Sequence, residues 1–308
     1  MTDARPLVWL PFDAEHLGEV PAGLRYESLV LEDGAPLPDW AGDVEFYVPP
    51  YMKWADQPRV LAGLPSLKVV NTLSAGVDAI RDHIPEGVQL CNGRGIHNAS
   101  TAELAVTLVL ASLRGIPGFV RAQDRGTWQQ TVTESLADKT VMIVGHGSIG
   151  QAIEERLSGF ECEVVRVART AREGVHTLSE IDELLPHADV VILIVPLTDE
   201  TRGLVDEGFL GRMKDGALLV NMARGPVVDT DALVAALHTG RISAALDVTD
   251  PEPLPESHPL WDSPNLLVVP HVGGASSAMW PRAHRVIREQ LERYAAGEPL
   301  ANVMSGAY

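Results

Sequence analysis

The chain has 308 residues, 45% of them hydrophobic, with 2 Cys and a formal net charge of −18. That length suits two domains of roughly 100–200 residues each. The acidic charge argues against a nucleic-acid partner, whose phosphates demand a basic surface, and the two cysteines exclude a disulfide framework.

Met1 to Leu10 lacks the basic start and long apolar core of a signal peptide. The longest apolar helix candidate, Ala102 to Leu113, falls short of the roughly 20 residues a membrane span needs and carries Glu103. The expectation is a cytoplasmic protein with no membrane contact. Cys91 and Cys162 lack metal-ligand spacing and read as two buried thiols in a reduced compartment. No helix carries a metal-binding pair of histidines, so no metal is expected. His146, inside a Gly-rich turn, shows no partner in the sequence, and His83, His187 and His284 read as surface residues.

Short β-type runs alternate with helical patterns along the whole chain, which predicts βαβ units and parallel sheets. The first strands are expected at Leu7–Leu10, Val44–Val48, Leu67–Asn71 and Val88–Cys91. Ser100-Thr101-Ala102-Glu103 reads as a capping box opening an apolar helix to about Arg114. Lys139–Val144, Val164–Ala168, Val190–Val195, Ala217–Asn221, Ala244–Val248 and Leu266–Val269 predict a second sheet of at least six strands. A last helical pattern beyond Ser276 runs to Gly297.

Gly145-His146-Gly147-Ser148-Ile149-Gly150 directly follows a buried strand and opens a helix. That is the setting in which G-x-G-x-x-G cradles a dinucleotide. Gly145 permits the turn, Gly147 lets backbone approach a pyrophosphate, and Gly150 lets the helix pack on the sheet. The helix N-terminus offers N–H groups and a positive dipole end to the phosphates. The next strand should end in a carboxylate for the ribose hydroxyls. It ends instead in Val167-Ala168-Arg169-Thr170-Ala171-Arg172. Arg169 suits a 2′-phosphate and Thr170 adds a donor, with Arg172 as the alternative cation. The cofactor expected is therefore NADP, with NAD possible.

Arg224, Glu252 and His271 each follow the C-terminal end of an apolar strand, where open α/β sheets place ligands. A carboxylate beside an imidazole orients the ring and favours its charged form, making a proton donor. An Arg nearby binds a substrate carboxylate and polarises an adjacent oxo group. Together they suit hydride reduction of a carbonyl.

With Asn221-Met222-Ala223-Arg224-Gly225-Pro226, Leu246-Asp247-Val248, Glu252-Pro253-Leu254-Pro255 and Pro270-His271-Val272-Gly273-Gly274 beside the Gly-rich turn, the chain resembles the D-isomer-specific 2-hydroxyacid dehydrogenases from about Leu64 to Ser276. The resemblance implies a substrate of 2-oxo/2-hydroxy acid type, most closely glyoxylate or hydroxypyruvate. It implies Arg224 as substrate-binding arginine, Glu252 as partner carboxylate and His271 as general acid/base. It also implies cofactor contacts from Ser148, Ile149, Pro196, Thr201, Ala223, Asp247 and Gly273, with Asp247 on the nicotinamide amide. Ser74-Ala75-Gly76 resembles the loop that holds the substrate carboxylate, with Ser74 where Gly is usual. The fold implied is α/β with two Rossmann-like doubly wound domains. A split flavodoxin-like substrate domain (1–96 and 281–308) surrounds an inserted dinucleotide-binding domain (97–280), and the molecule is a homodimer.

Two rivals share this fold. Formate dehydrogenases of the family pair Gln with the His, unlike Glu252 here, whereas phosphite dehydrogenases keep the Arg-Glu-His set. Nucleotide-sensing corepressors also keep it but carry long disordered tails. Pro49 to Trp54 is left with two readings, a substrate side-chain contact or a loop packed on its own domain.

Overall fold

Leu7–Leu10 (β1) is a buried run of four apolar residues, as a strand covered on both faces of a parallel sheet must be. In the computed structural model, which describes residues 4–304, it lies at the inside of a five-stranded parallel sheet. The sheet continues with β2 (Arg25–Ser28), β3 (Val44–Tyr47), β4 (Val69–Asn71) and β5 (Gln89–Cys91), and α1 (Gln57–Ala62) follows β3. Its order, β2-β1-β3-β4-β5, is the doubly wound flavodoxin-like order.

The chain then builds a second sheet and its helices. These are α2 (Asn98–Leu113), α3 (Ile116–Asp124), β6 (Thr140–Val144), α4 (Ser148–Leu157), β7 (Glu163–Ala168), β8 (His176–Thr177), α5 (Ile181–Leu184), β9 (Val190–Leu193), α6 (Glu207–Arg212), β10 (Leu218–Asn221), α7 (Thr230–His238), β11 (Ser243–Leu246) and β12 (Leu266–Val268). Among the described residues this sheet has seven parallel strands in the order β12-β11-β10-β9-β6-β7-β8. β7 and β8 run outward from β6 on one side, and β9 to β12 on the other. The strand order reverses between β6 and β9, the switch point at which such sheets bind ligands. The expected α/β doubly wound fold is what the chain adopts.

α8 (Met279–Ala296) returns to the first sheet and ends at Gly297 with φ 67°. Its buried residues, Met279, Ala283, Val286, Ile287, Gln290 and Leu291, recur at helical spacing and join the core of β1, β3 and β4. Gln290 donates to Asn71 Oδ1 at 2.8 Å, and Tyr294 donates to Glu45 Oε2 at 2.8 Å. The chain thus divides into two compact units, one running up to His97 and resuming at Ser277, the other Asn98–Ser276.

Several local expectations need correction. β2 and β8 were not expected: in β2 Arg25, Glu27 and Ser28 are polar and two of its residues are exposed, and β8 is only two residues long. The run Val190–Val195 pairs only as far as Leu193. The capping box fails. The helix begins at Asn98, so Ser100 lies inside its first turn, buried, and caps nothing. Among the described residues no single helix is long and apolar enough to cross a membrane. α2 instead packs against α4, β10 and β11 within its own unit. Cys91 is buried and Cys162 half-buried, both free.

Candidate active site

β10, β11 and β12 are adjacent and parallel, with Asn221 opposite Leu246 and Leu246 opposite Val268. The loops that leave their C-terminal ends carry Arg224, Glu252 and His271, so the sheet itself gathers the three. His271 Nδ1 lies 2.5 Å from Glu252 Oε1, and both side chains are partly exposed. The carboxylate can only accept, so Nδ1 carries the proton and Nε2 is the nitrogen left to exchange one.

His271 has φ 50°, a conformation that costs a non-glycine residue about 1–3 kcal/mol. Asp247 holds it there. The Asp247 carbonyl accepts from His271 N at 2.7 Å, and its carboxylate accepts from Val272 N at 2.7 Å and Gly273 N at 3.0 Å. These contacts fix the His271 main chain in that conformation. Desolvation pushes the Asp247 carboxyl above its usual range, opposed by the Val272 and Gly273 N–H groups and the His271 charge.

Arg224 is presented by a second clamp. Buried Asn221 donates through Nδ2 to Arg224 O at 3.0 Å and accepts on Oδ1 from Ala223 N at 3.0 Å. Ala223 O accepts from Arg224 Nη1 at 2.7 Å. The next residue must be Gly, since a Cβ on Gly225 would sit 1.9 Å from Thr249 O. That contact brings the Arg224 loop against the loop that leads to Glu252.

The Gly-rich turn lies at the end of β6. Gly145 has φ 113°, and a Cβ there would lie 2.5 Å from Ile194 O. A Cβ on Gly150 would lie 2.2 Å from Gly145 O, which fixes how closely α4 crosses the strand end. Gly147 is different: a Cβ there meets nothing within 4 Å, and no side chain caps α4, whose first turn holds Ser148 and Ile149. Open space beside uncapped helical N–H groups fits a dinucleotide pyrophosphate. At the end of neighbouring β9, Thr201 Oγ1 donates to Pro196 O at 2.6 Å and accepts from Thr198 N at 2.8 Å, shaping that loop. Gly273 is buried, its carbonyl accepting from Thr101 Oγ1 at 3.1 Å.

Arg169 and Thr170 are exposed beyond β7. Arg172 reaches back to the Gly-rich turn, donating through Nη2 to His146 O at 2.6 Å. His146 therefore does have partners, Arg172 and Glu154. His284 is not a surface residue either. It is half-buried against Phe12 and Trp280, with its imidazole lowered below the usual range by burial and then by His16. Ser74, Ala75 and Gly76 lie in the first unit, beyond β4. There Ser74 O accepts from Thr72 Oγ1 at 2.9 Å and Gly93 N at 2.7 Å, and Ala75 O accepts from Asn92 Nδ2 at 2.9 Å. In the Pro49–Trp54 segment Tyr51 lies on His97 with ring centroids 5.3 Å apart, and Lys53 O accepts from Gln57 Nε2 at 2.9 Å. That segment is packed on its own unit.

Residues 106–273, more than half of the chain, match the family described as D-isomer specific 2-hydroxyacid dehydrogenase, NAD binding domain. The chain belongs to this family. It is an oxidoreductase that interconverts 2-hydroxy and 2-oxo acids with a nicotinamide cofactor. The dehydrogenase is 37% identical to a glyoxylate reductase of Thermofilum pendens over 78% of this chain and 75% of that one. It is similar in structure to a D-isomer specific 2-hydroxyacid dehydrogenase from Xanthobacter autotrophicus in complex with NADPH and MES. There the TM-score is 0.81 and the identity 33%, covering 98% of each chain. An NADPH-dependent glyoxylate/hydroxypyruvate reductase from Sinorhizobium meliloti, in complex with NADP and sulfate, gives a TM-score of 0.82 at 26% identity over 98% of each chain.

Sequence reasoning took Asn221 and Asp247 as a motif member and a cofactor contact. It missed that the dehydrogenase uses both to hold the main chain around Arg224 and His271. A buried Asn or Asp at the last position of an apolar strand, or directly after it, is the signal that such a clamp leaves in a sequence.

Proposed function

We propose that this dehydrogenase reduces a small 2-oxo acid of the glyoxylate or hydroxypyruvate type with NADPH to the corresponding 2-hydroxy acid, of D configuration where the product is chiral. The observation that carries this is the 2.5 Å pair between His271 Nδ1 and Glu252 Oε1 at the ends of adjacent strands, with Arg224 on the next loop. A nicotinamide cofactor, when bound, supplies the hydride. Glu252 fixes the His271 tautomer, and Nε2 delivers the proton to the carbonyl oxygen. Arg224 binds the carboxylate and stabilises the charge that develops beside it.

The NADPH preference is supported by the missing carboxylate at Ala168 and by the cations Arg169 and Arg172 beyond β7. It is also supported by the NADPH and NADP complexes of the two structural relatives. The segment after α3 leaves Trp128 95% and Val132 98% exposed, an apolar surface that pairing of two copies in a homodimer would cover. The setting proposed is the cytoplasm, with small molecules as the ligands.

A panel of 2-oxo acids assayed with NADPH and with NADH tests this reading. A charge-assisted contact to the 2′-phosphate contributes about 1.5–3 kcal/mol, so NADPH should be favoured by roughly ten- to a hundredfold in kcat/KM. Ala168→Asp combined with Arg169→Ala should reverse the preference. A parent enzyme that prefers NADH sinks the cofactor assignment, and one inactive on glyoxylate and hydroxypyruvate sinks the substrate assignment.

A further inference from the structure

His146, the residue between the first two glycines of the turn, is 8% exposed and sits in a chain of charged groups. Its Nε2 lies 2.6 Å from Glu154 Oε2 on α4. Arg166 of β7 binds the other oxygen of Glu154, with Nε 2.8 Å from Oε1 and Nη2 also on it. On the opposite edge of the ring, Arg172 Nη2 lies 2.9 Å from Nδ1 and 2.6 Å from the His146 carbonyl oxygen. Arg166 first, and then His146, holds the Glu154 carboxyl below the usual range. Glu154 is therefore an acceptor, so Nε2 donates. Nδ1 must then accept from the guanidinium, which has no acceptor of its own. Both ring nitrogens are thereby assigned. The charged groups facing the ring are Glu154 from α4, with Arg166 behind it, and Arg172 from the turn beyond β7.

We propose that His146 is a positioning residue for Arg172, and that the Glu154–His146 pair holds this guanidinium at the Gly-rich turn to receive the 2′-phosphate of NADPH. The proposal rests on the NADPH reading above and assigns that selectivity to a residue outside the β7 end. An exposed Arg on a surface turn would otherwise lose side-chain entropy on binding phosphate. Here its Nη2 is already tied down at two acceptors.

The test is steady-state kinetics with NADPH and NADH for the parent, His146→Gln, Arg172→Ala and the double variant. Each variant should lower the ratio of kcat/KM for NADPH over NADH about tenfold, with the loss in the KM for NADPH. The double variant should be no worse than Arg172→Ala, because the histidine acts through the arginine. Additive losses, or an unchanged ratio in His146→Gln, overturn the positioning role while leaving the NADPH reading intact. A parent without NADPH preference, or an Arg172→Ala enzyme with the parent's ratio, overturns the phosphate role itself.

Discussion

Replacing His271 by Ala should lower kcat by about 10²–10⁴-fold, the range for loss of a general acid, with NADPH still bound. The ring is set by Glu252 at 2.5 Å on Nδ1, which leaves Nε2 as the proton donor. The substitution also places Ala at φ 50°, where its Cβ is strained. His271→Asn separates the two effects, because Asn tolerates the left-handed region yet cannot act as the acid. Both variants should show the same loss of kcat, measured beside cofactor affinity by fluorescence. If His271→Asn keeps a near-parent rate, His271 is not the acid.

Arg224→Ala should lower kcat/KM by about 10²–10³-fold, the cost of removing one donor to developing charge. The effect should also appear in Arg224→Lys, because a point-charge ammonium cannot reproduce the planar two-donor fork. Asn221 and Gly225 hold the loop through main-chain contacts that do not involve the Arg224 guanidinium. Both variants should therefore melt near the parent temperature. A thermal shift assay beside the kinetics checks this. Parent-like kcat/KM in Arg224→Lys would show that charge alone suffices and that paired recognition of a carboxylate is absent.

The parts of this fold legible in the sequence are those that backbone geometry restricts to few residue types. Gly145 and Gly150 stand where any Cβ would strike a carbonyl oxygen, so the turn announces itself. Fully buried β9 reads as an unbroken apolar run, and β10 as an apolar run closed by Asn221. β2, at the edge of its sheet with Arg25 and Glu27 in it, carries no such run. Ser100 and Glu103 have the spacing of a cap, but the helix starts two residues earlier, at Asn98. Tertiary packing overrode the local signal. His271 and Glu252 were legible as a pair because both follow strand ends. The contacts of Asp247 with Val272 and Gly273, and of His146 with Glu154 and Arg172, join side chains to groups that only the folded chain brings together. No periodicity encodes them.

Direct hydride reduction of a 2-oxo acid, with His271 supplying the proton, is the reaction proposed. The most direct measurement uses NADPH deuterated at the hydride-donating position, with hydroxypyruvate as substrate and the product analysed for isotope and chirality. The expected result is deuterium on the carbon that bears the new hydroxyl and a product of D configuration. Deuterium retained in the cofactor, or an L or racemic product, would contradict it.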